Sequence, residues 1–109
     1  MNEKEEKKFK DFTIRIGNYT WQVQFVPKDL LGDYEGVTHH NLFVIQVRDD
    51  LPVMATRLTL IHEIIHALLG TQGRCYQKEF TNEDVCEFIA YRFEEIKACI
   101  EVIDRELGL

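Results

Sequence analysis

The chain has 109 residues, 45% of them hydrophobic, and a formal net charge of −6. This length predicts a single domain, and the acidic balance argues against nucleic acid or an anionic membrane surface as the main partner. No apolar run of transmembrane length and no targeting segment is evident in the sequence. The three cysteines have no C-x-x-C spacing, which indicates reduced thiols. We therefore expect a cytoplasmic protein without a membrane partner.

The chain begins with a charged segment, which is followed by segments in which apolar and polar residues alternate. Residues 1–10 are mostly Lys and Glu, and they are predicted to form a charged arm outside a domain of residues 11–109. Two segments, Phe12–Ile16 and Tyr19–Val26, then alternate apolar and polar side chains, and only a Gly-Asn pair separates them. This pattern predicts a β-hairpin with a two-residue turn, in which Trp21 belongs to the core.

A third extended segment is predicted over Val37–Val47. We expect Leu42 and Val44 to be buried, with Ile45 and Val47 as further candidates.

Two helices are predicted to complete the domain. The first follows an Asp-Asp pair, runs from about Pro52 to Leu69 and stops at Gly70. The second runs from about Asn82 to Leu107 after a Thr81-x-x-Asp84 capping box. The order β-β-β-α-α predicts an α+β domain, with a small antiparallel sheet of about three strands packed on the two helices.

The first predicted helix carries the H-E-x-x-H sequence, formed by His62, Glu63 and His66. Residues four apart lie on one face of a helix, so the two histidines can bind one Zn²⁺ ion together. Glu63 is placed to act as a general base on a metal-bound water rather than as a ligand. Burying three polar side chains in an apolar helix is costly unless something compensates them, and a metal ion does so.

The residues around this motif resemble the extended signature of the zincin metallopeptidases. The positions of the signature that are uncharged or apolar are occupied here by Thr59, Leu60, Ile64, Ile65, Ala67 and Leu68. The resemblance implies a zinc-dependent metallopeptidase that hydrolyses peptide bonds in a peptide or protein substrate, with Glu63 as its catalytic base. It also implies a zincin-like fold.

A catalytic zinc site needs a third protein ligand. The metzincin pattern H-E-x-x-H-x-x-G-x-x-H is excluded, because Leu69 takes the place of its glycine and Gln72 that of its third histidine. Glu87 lies twenty-one residues after His66 and is followed one turn later by Ala90. This stretch resembles the glutamate helix of the gluzincin group, including minigluzincins, which implies that Glu87 is the third metal ligand.

Other third ligands stay open. The chain also resembles the phage-type and bacterial ImmA/IrrE peptidases, whose register would select Glu83 instead, with Cys86 at a small-residue position. Cys75, His39 or His40 could also bind the metal, or the site could have no third ligand. The acidic residues of the second helix could equally form an ordinary solvated face.

Further residues are candidates for contact with a substrate. In zincins, the strand along the cleft edge binds the substrate main chain by β-augmentation. His39 and His40 lie in that region, and one of them could polarise the scissile carbonyl, although a surface role is the simpler interpretation. The tyrosines Tyr34, Tyr76 and Tyr91 are candidate oxyanion donors.

Two other functions fit the same sequence. A chain this short lacks the second lobe that normally closes a zincin cleft, so it could be a non-catalytic zinc-binding interaction protein, or a protein partner could complete the cleft. It could also be a regulatory protease that cleaves one protein partner.

Overall fold

The computed structural model describes residues 8–71 and 81–109. The fold is α+β, with four strands followed by two long helices. These elements are β1 (Phe12–Ile16), β2 (Tyr19–Val26), β3 (Gly36–His39), β4 (Val44–Arg48), α1 (Val53–Thr71) and α2 (Asn82–Leu107). Both helices pack on the sheet and on each other, which makes two layers around one apolar core.

The predicted hairpin of β1 and β2 is confirmed. The two strands pair antiparallel with Ile14 opposite Trp21, and a two-residue turn at Gly17 joins them. Trp21 is 1% exposed and belongs to the core, as predicted. The strands alternate cleanly because one face is covered by the helices and the other faces solvent.

The prediction of an antiparallel sheet of about three strands is wrong. The sheet has four strands in the order β1-β2-β4-β3, and β2 pairs with β4 in parallel. The extended run predicted over Val37–Val47 is two strands, because residues 40–43 turn and send β4 back antiparallel to β3. A loop that contains a short 3-10 helix (Lys28–Leu30) connects β2 to β3 and makes the parallel pairing possible.

The turn between β3 and β4 also decides which side chains are buried. Phe43 adopts a positive φ of 54°, which is uncommon for a residue with a side chain, and it packs against Tyr19 and Trp21. The turn resets the alternation, so Ile45 and Val47 are fully buried. The expectation that Leu42 faces the core is therefore wrong, since it lies in the turn and is exposed, and Val44 is only partly buried.

The outer face of the sheet is polar. A chain of side-chain hydrogen bonds crosses it, in which Gln24 donates to Gln22 (3.1 Å), Gln46 donates to Gln24 (3.0 Å), and Gln46 contacts the ring of His39 (3.0 Å). The helices cover the other face of the sheet.

Helix α1 extends slightly past its predicted end. It begins at Val53, and it continues through Gly70 to Thr71 instead of stopping at the glycine. Asp50 in the preceding turn accepts two hydrogen bonds from Arg48. The stretch Val53–Gly70 is long and apolar enough to cross a membrane, with a mean hydropathy of 1.2, which differs from the expectation that no apolar run has this length. One such helix is weak evidence of a span, because a core helix passes the same test.

Helix α2 has the predicted bounds, and its capping box is present. Thr81 accepts a hydrogen bond from the backbone of Asp84, whose carboxylate in turn accepts one from the backbone of Thr81. Near the other end of α2, Asp104 pairs with Arg57 of α1 at 2.6 Å, and this hydrogen bond holds the pKa of Asp104 below its usual value. The start of α1 therefore lies level with the end of α2.

Contacts with β1 and with the N-terminal residues fix the rest of the domain. Glu95 of α2 accepts a hydrogen bond from the backbone of Gly17 at 2.6 Å. Burial in the core raises the pKa of the Cys99 thiol to about 11. Lys8 and Phe9, the last part of the predicted arm, contact the domain through the Leu51 carbonyl and the Phe25 ring, whereas residues 1–7 lie outside the described part of the chain.

Candidate metal centre

The two histidines of the motif converge on the exposed side of α1. Their spacing of four residues places them one turn apart, and both side chains reach solvent. The Nε2 atoms of His62 and His66 are 3.2 Å apart. Two nitrogens bound to one tetrahedral zinc ion at about 2.0–2.1 Å would be about 3.3 Å apart. The pair therefore fits a zinc ion, and the same separation also fits a hydrogen bond between the rings.

Glu63 lies beside these histidines and turns from the exposed face of α1 into the contact between α1 and β3. It is 6% exposed, and its Oε1 atom accepts a hydrogen bond from the hydroxyl of Thr38 at 2.6 Å. The same hydroxyl lies 3.1 Å from the Glu63 carbonyl oxygen. A buried carboxylate needs such partners, and the contact fixes the orientation of the side chain.

Gly36 allows β3 to lie close enough to α1 for this contact. A Cβ atom added at Gly36 would lie 2.8 Å from the Thr59 methyl group and 3.1 Å from Cγ of Glu63. Gly36 and Thr38 are two residues apart in an extended strand, so both face the helix. Small residues on this face thus set the distance between Glu63 and the edge of the sheet.

We expect Gly36→Ala to destabilise the fold by about 1–3 kcal/mol, because overpacking forces β3 away from α1. The free energy of unfolding in urea measures this effect. Adding Thr59→Ser removes the methyl group that the new Cβ would meet first, so the double variant should recover part of the loss. Equal stability of Gly36→Ala and the wild type would show that the close approach is not required.

A continuous groove runs between β3 and α1. Its first stretch, here called the histidine stretch, has a volume of about 480 Å³ and is lined by Tyr34, Gly36, Val37, Thr38, His40, His62, Glu63 and His66. Its second stretch, here called the apolar recess, has a volume of about 530 Å³ and is lined by Asp33, Tyr34, Glu35, Gly36, Ala55, Leu58, Thr59, His62 and Glu63. The stretches share four residues, so the motif lies where they meet.

The adjacent histidines His39 and His40 have different surroundings. The His39 ring contacts Gln46 on the outer face of the sheet. The His40 ring lies on the inner side, so close to Gly70 of α1 that a Cβ there would come within 2.3 Å of Nδ1, and it meets Trp21 edge to face. Of the two, only His40 lines the histidine stretch.

The structure does not bring Glu87 or Glu83 to the histidines. Both side chains are exposed on the first turns of α2, and within residues 8–71 and 81–109 no group of three or more His, Cys, Asp or Glu side chains is placed to hold a metal ion. The Arg57–Asp104 pair sets the helix register. His66 lies nine residues, about 14 Å, from Arg57 along α1, whereas Glu87 lies seventeen residues, about 26 Å, from Asp104 along α2.

Of the three tyrosines predicted as oxyanion donors, two lie in the described part of the chain. Tyr34 lines both stretches of the groove, whereas Tyr91 is highly exposed beside Glu87 on α2. Cys75 and Tyr76 lie outside the described residues. Thr38 was not predicted as a site residue, although small residues at alternate positions of the segment before the motif helix are a signal of close strand-to-helix packing.

Comparisons with known proteins add no assignment to this geometry. The chain matches no protein-family model, no curated protein and no solved structure. A function can therefore be inferred only from the motif, the two converging histidines, the buried Glu63 and the groove in which they lie.

Proposed function

We propose that this protein is a zinc-dependent peptidase. The observation that carries the proposal is the arrangement of the motif. His62 and His66 converge at a zinc-compatible separation, and Glu63 is held beside them by Thr38 in the floor of a groove. Structural needs alone do not explain a buried, oriented carboxylate next to two solvent-facing imidazoles on an apolar helix.

The proposed resident ion is Zn²⁺, bound by Nε2 of His62 and of His66. Imidazole nitrogen is a preferred zinc donor, and catalytic zinc sites keep one position open for water. Zinc in this position would supply Lewis-acid chemistry, lowering the pKa of a bound water towards about 7 and polarising a peptide carbonyl.

In this proposal Glu63 moves the proton. Its Oε1 atom is engaged by Thr38, so Oε2 accepts a proton from the attacking water and then delivers it to the leaving amine. The Thr38 hydroxyl keeps the carboxylate in one orientation throughout. A fixed base avoids the cost of ordering a mobile side chain in the transition state.

The edge of the sheet would hold the substrate. In the described part of the chain β3 is an edge strand. The backbone of Arg48 donates to the carbonyl of Glu35, and the alternation of an antiparallel ladder then directs the N–H and C=O groups of Gly36 and Thr38 away from β4. A peptide that added to this edge would lie over the motif. An antiparallel edge strand above a motif helix also supports a zincin-like arrangement.

We retain Glu87 as the proposed third ligand. Of the two glutamates it lies closer to the histidines along α2, and its binding would require the first turns of α2 to approach α1 more closely. Glu83 has a sufficient alternative reason to occupy the first turn, where the helix dipole favours an acidic side chain.

Glu87→Ala should therefore weaken zinc binding by orders of magnitude, and Glu83→Ala by much less. Zinc affinity measured by competition with a chromogenic chelator compares the two variants, which have the same charge and lie on the same helix. A larger loss in Glu83→Ala would reverse the assignment. Unchanged affinity in both variants would remove α2 from the site.

His40 is the histidine that we expect to contact the scissile carbonyl. His40→Gln should lower kcat more than it changes KM and should leave zinc content intact, because a carbonyl partner acts most strongly in the transition state. His39→Gln is the matched control, since its ring lies on the outer face. Equal kinetics of the two variants would exclude this role, and loss of zinc in His40→Gln would make His40 a ligand.

Hydrolysis of a generic unfolded protein tests the proposed function. Zinc-loaded chain should generate new N termini in carboxymethylated casein, identified by mass spectrometry. The activity should stop with 1,10-phenanthroline and return when stoichiometric zinc is added back. A chain shown to hold one zinc ion that cleaves no unfolded protein would reject a general peptidase.

The second candidate is a zinc-dependent interaction protein, or a protease dedicated to one partner. It is favoured by the lack of a third ligand within the described residues and by the large apolar side chains that α2 exposes at Val85, Ile89 and Phe93. Zinc binding without casein hydrolysis is the result expected for this candidate.

A further inference from the structure

The apolar recess exposes large side chains beside the motif. Leu58 is 69% exposed and Tyr34 is 68% exposed, and both line the recess. Met54, which is also exposed, lies one turn before Leu58 on α1. Apolar side chains gathered around a concave surface mark a binding site more often than apolar residues scattered over a surface do. A large apolar side chain of a bound peptide would shield them from water.

The charged side chains around this recess have one sign. Among the described residues, those that line it are Asp33, Glu35 and Glu63. Glu35 also receives a weak hydrogen bond of 3.4 Å from Thr59 at the base of the recess. Glu63 is buried, so Asp33 and Glu35 form the exposed acidic rim.

Arg48 is near enough to Glu35 for their charges to interact, but its guanidinium is paired with another carboxylate. Arg48 donates two hydrogen bonds, of 2.9 and 2.8 Å, to the carboxylate of Asp50. The rim therefore keeps negative charge at the entrance of an apolar recess. Such an entrance attracts a cationic side chain and repels an anionic one.

The position of the recess relative to the motif determines which side chain of a bound peptide would enter the recess. Leu58 lies four residues before His62 on α1, which is about 6 Å along the helix. An extended peptide advances about 3.3 Å per residue, so the recess meets a side chain one or two residues from a bond held at the motif. A peptide antiparallel to β3 would place this side chain on the C-terminal side of that bond.

We propose that the groove selects extended peptides in which a large apolar residue, one or two positions C-terminal to the cleaved bond, has Lys or Arg beside it. Leu58 and Tyr34 receive the apolar side chain, and Asp33 and Glu35 contact the base. The place of the cleaved bond rests on the proposed peptidase function. The selection of an apolar and basic pair does not depend on hydrolysis.

Four peptides with matched backbones test the proposal, in which the variable pair is Phe-Lys, Phe-Glu, Ala-Lys or Ala-Glu. Binding to the full-length Glu63→Gln chain loaded with zinc is measured by fluorescence anisotropy, and hydrolysis by the wild type as kcat/KM. The Phe-Lys peptide should bind about tenfold more tightly than Phe-Glu, because each exposed charge contact contributes a few-fold. Ala-Lys should also bind more weakly than Phe-Lys.

Two double variants with the same change in charge test whether Asp33 and Glu35 cause the preference for Lys over Glu. Asp33→Asn with Glu35→Gln should abolish the preference for Lys over Glu, whereas Asp29→Asn with Glu101→Gln, at positions outside the groove, should preserve it. Leu58→Ser should reduce the preference for Phe over Ala. These binding outcomes would support the proposal even if no peptide were hydrolysed.

Equal affinity for Phe-Lys and Phe-Glu, or a preference that survives in the Asp33/Glu35 variant, would overturn the proposal. If hydrolysis occurs without these preferences, the peptidase function stands and the selectivity does not. If the binding preferences appear without hydrolysis, the selectivity stands and the peptidase function fails.

Discussion

Replacing both His62 and His66 with Ala should reduce bound zinc from about one equivalent per chain to background. The two Nε2 atoms, 3.2 Å apart, are the strongest zinc donors that converge in the described part of the chain. Removing one donor weakens the site, and removing both leaves no imidazole pair to hold the ion. Elemental analysis after dialysis against a metal-free buffer measures the difference.

The matched control for this variant is His39→Ala, which removes an imidazole from the outer face of the sheet. It should retain the full zinc content. Circular dichroism establishes that the double variant is folded, and we expect it to be, because both histidines are exposed and their loss leaves no buried cavity. Full zinc retention by a folded His62/His66 variant would rule out the proposed site.

Glu63→Gln should lower hydrolysis by roughly 10²- to 10⁴-fold, the usual contribution of a general base, while zinc content stays the same. The amide has the shape of the carboxylate, and the Thr38 hydroxyl can donate to its oxygen as it does to Oε1 of Glu63. The contact between β3 and α1 is thereby kept. Kinetics and elemental analysis on the same preparation separate the loss of a base from the loss of the metal.

Glu101→Gln, at an exposed position of α2, is the control for this loss of one charge and should have wild-type activity. Loss of zinc from a folded Glu63→Gln chain would mean that Glu63 is a ligand. Retention of full activity would mean that another group takes the proton.

The parts of the fold that depend on neighbouring residues were predictable from sequence. The β1–β2 hairpin follows from strict alternation around a two-residue turn, and α2 has its predicted bounds because a capping box marks its start. The H-E-x-x-H geometry is equally local, since five consecutive residues of one helix determine it. These features need no knowledge of the rest of the chain.

The predictions that were wrong concern the sheet, where residues far apart in sequence determine the structure. The turn at residues 40–43 contains neither Gly nor Pro, and Phe43 rather than Asn41 adopts a positive φ there. A single Asn is the only ordinary turn residue in this segment, and it interrupts the extended pattern only weakly. Its position is supported by Tyr19 and Trp21 of another strand. The parallel pairing of β2 with β4 has the same origin, because only the sheet as a whole determines it.

The candidate site also has one part that the local sequence predicts and another part that depends on tertiary contacts. His62, Glu63 and His66 follow from one motif, but the position of Glu87 relative to them depends on how far α2 is displaced along α1. That displacement is set by tertiary contacts such as Arg57–Asp104, which no sequence spacing reveals. The contact of Thr38 with Glu63 likewise requires a strand and a helix to meet.

The measurement that tests the zinc centre most directly is anomalous diffraction at the zinc edge from crystals of the zinc-loaded chain. We predict one strong peak about 2.0–2.1 Å from Nε2 of His62 and of His66, with Glu63 hydrogen-bonded to Thr38 and outside the coordination shell. The same map would identify the third ligand. A peak remote from both histidines, or a Glu63 oxygen bound directly to the metal, would contradict the proposed centre.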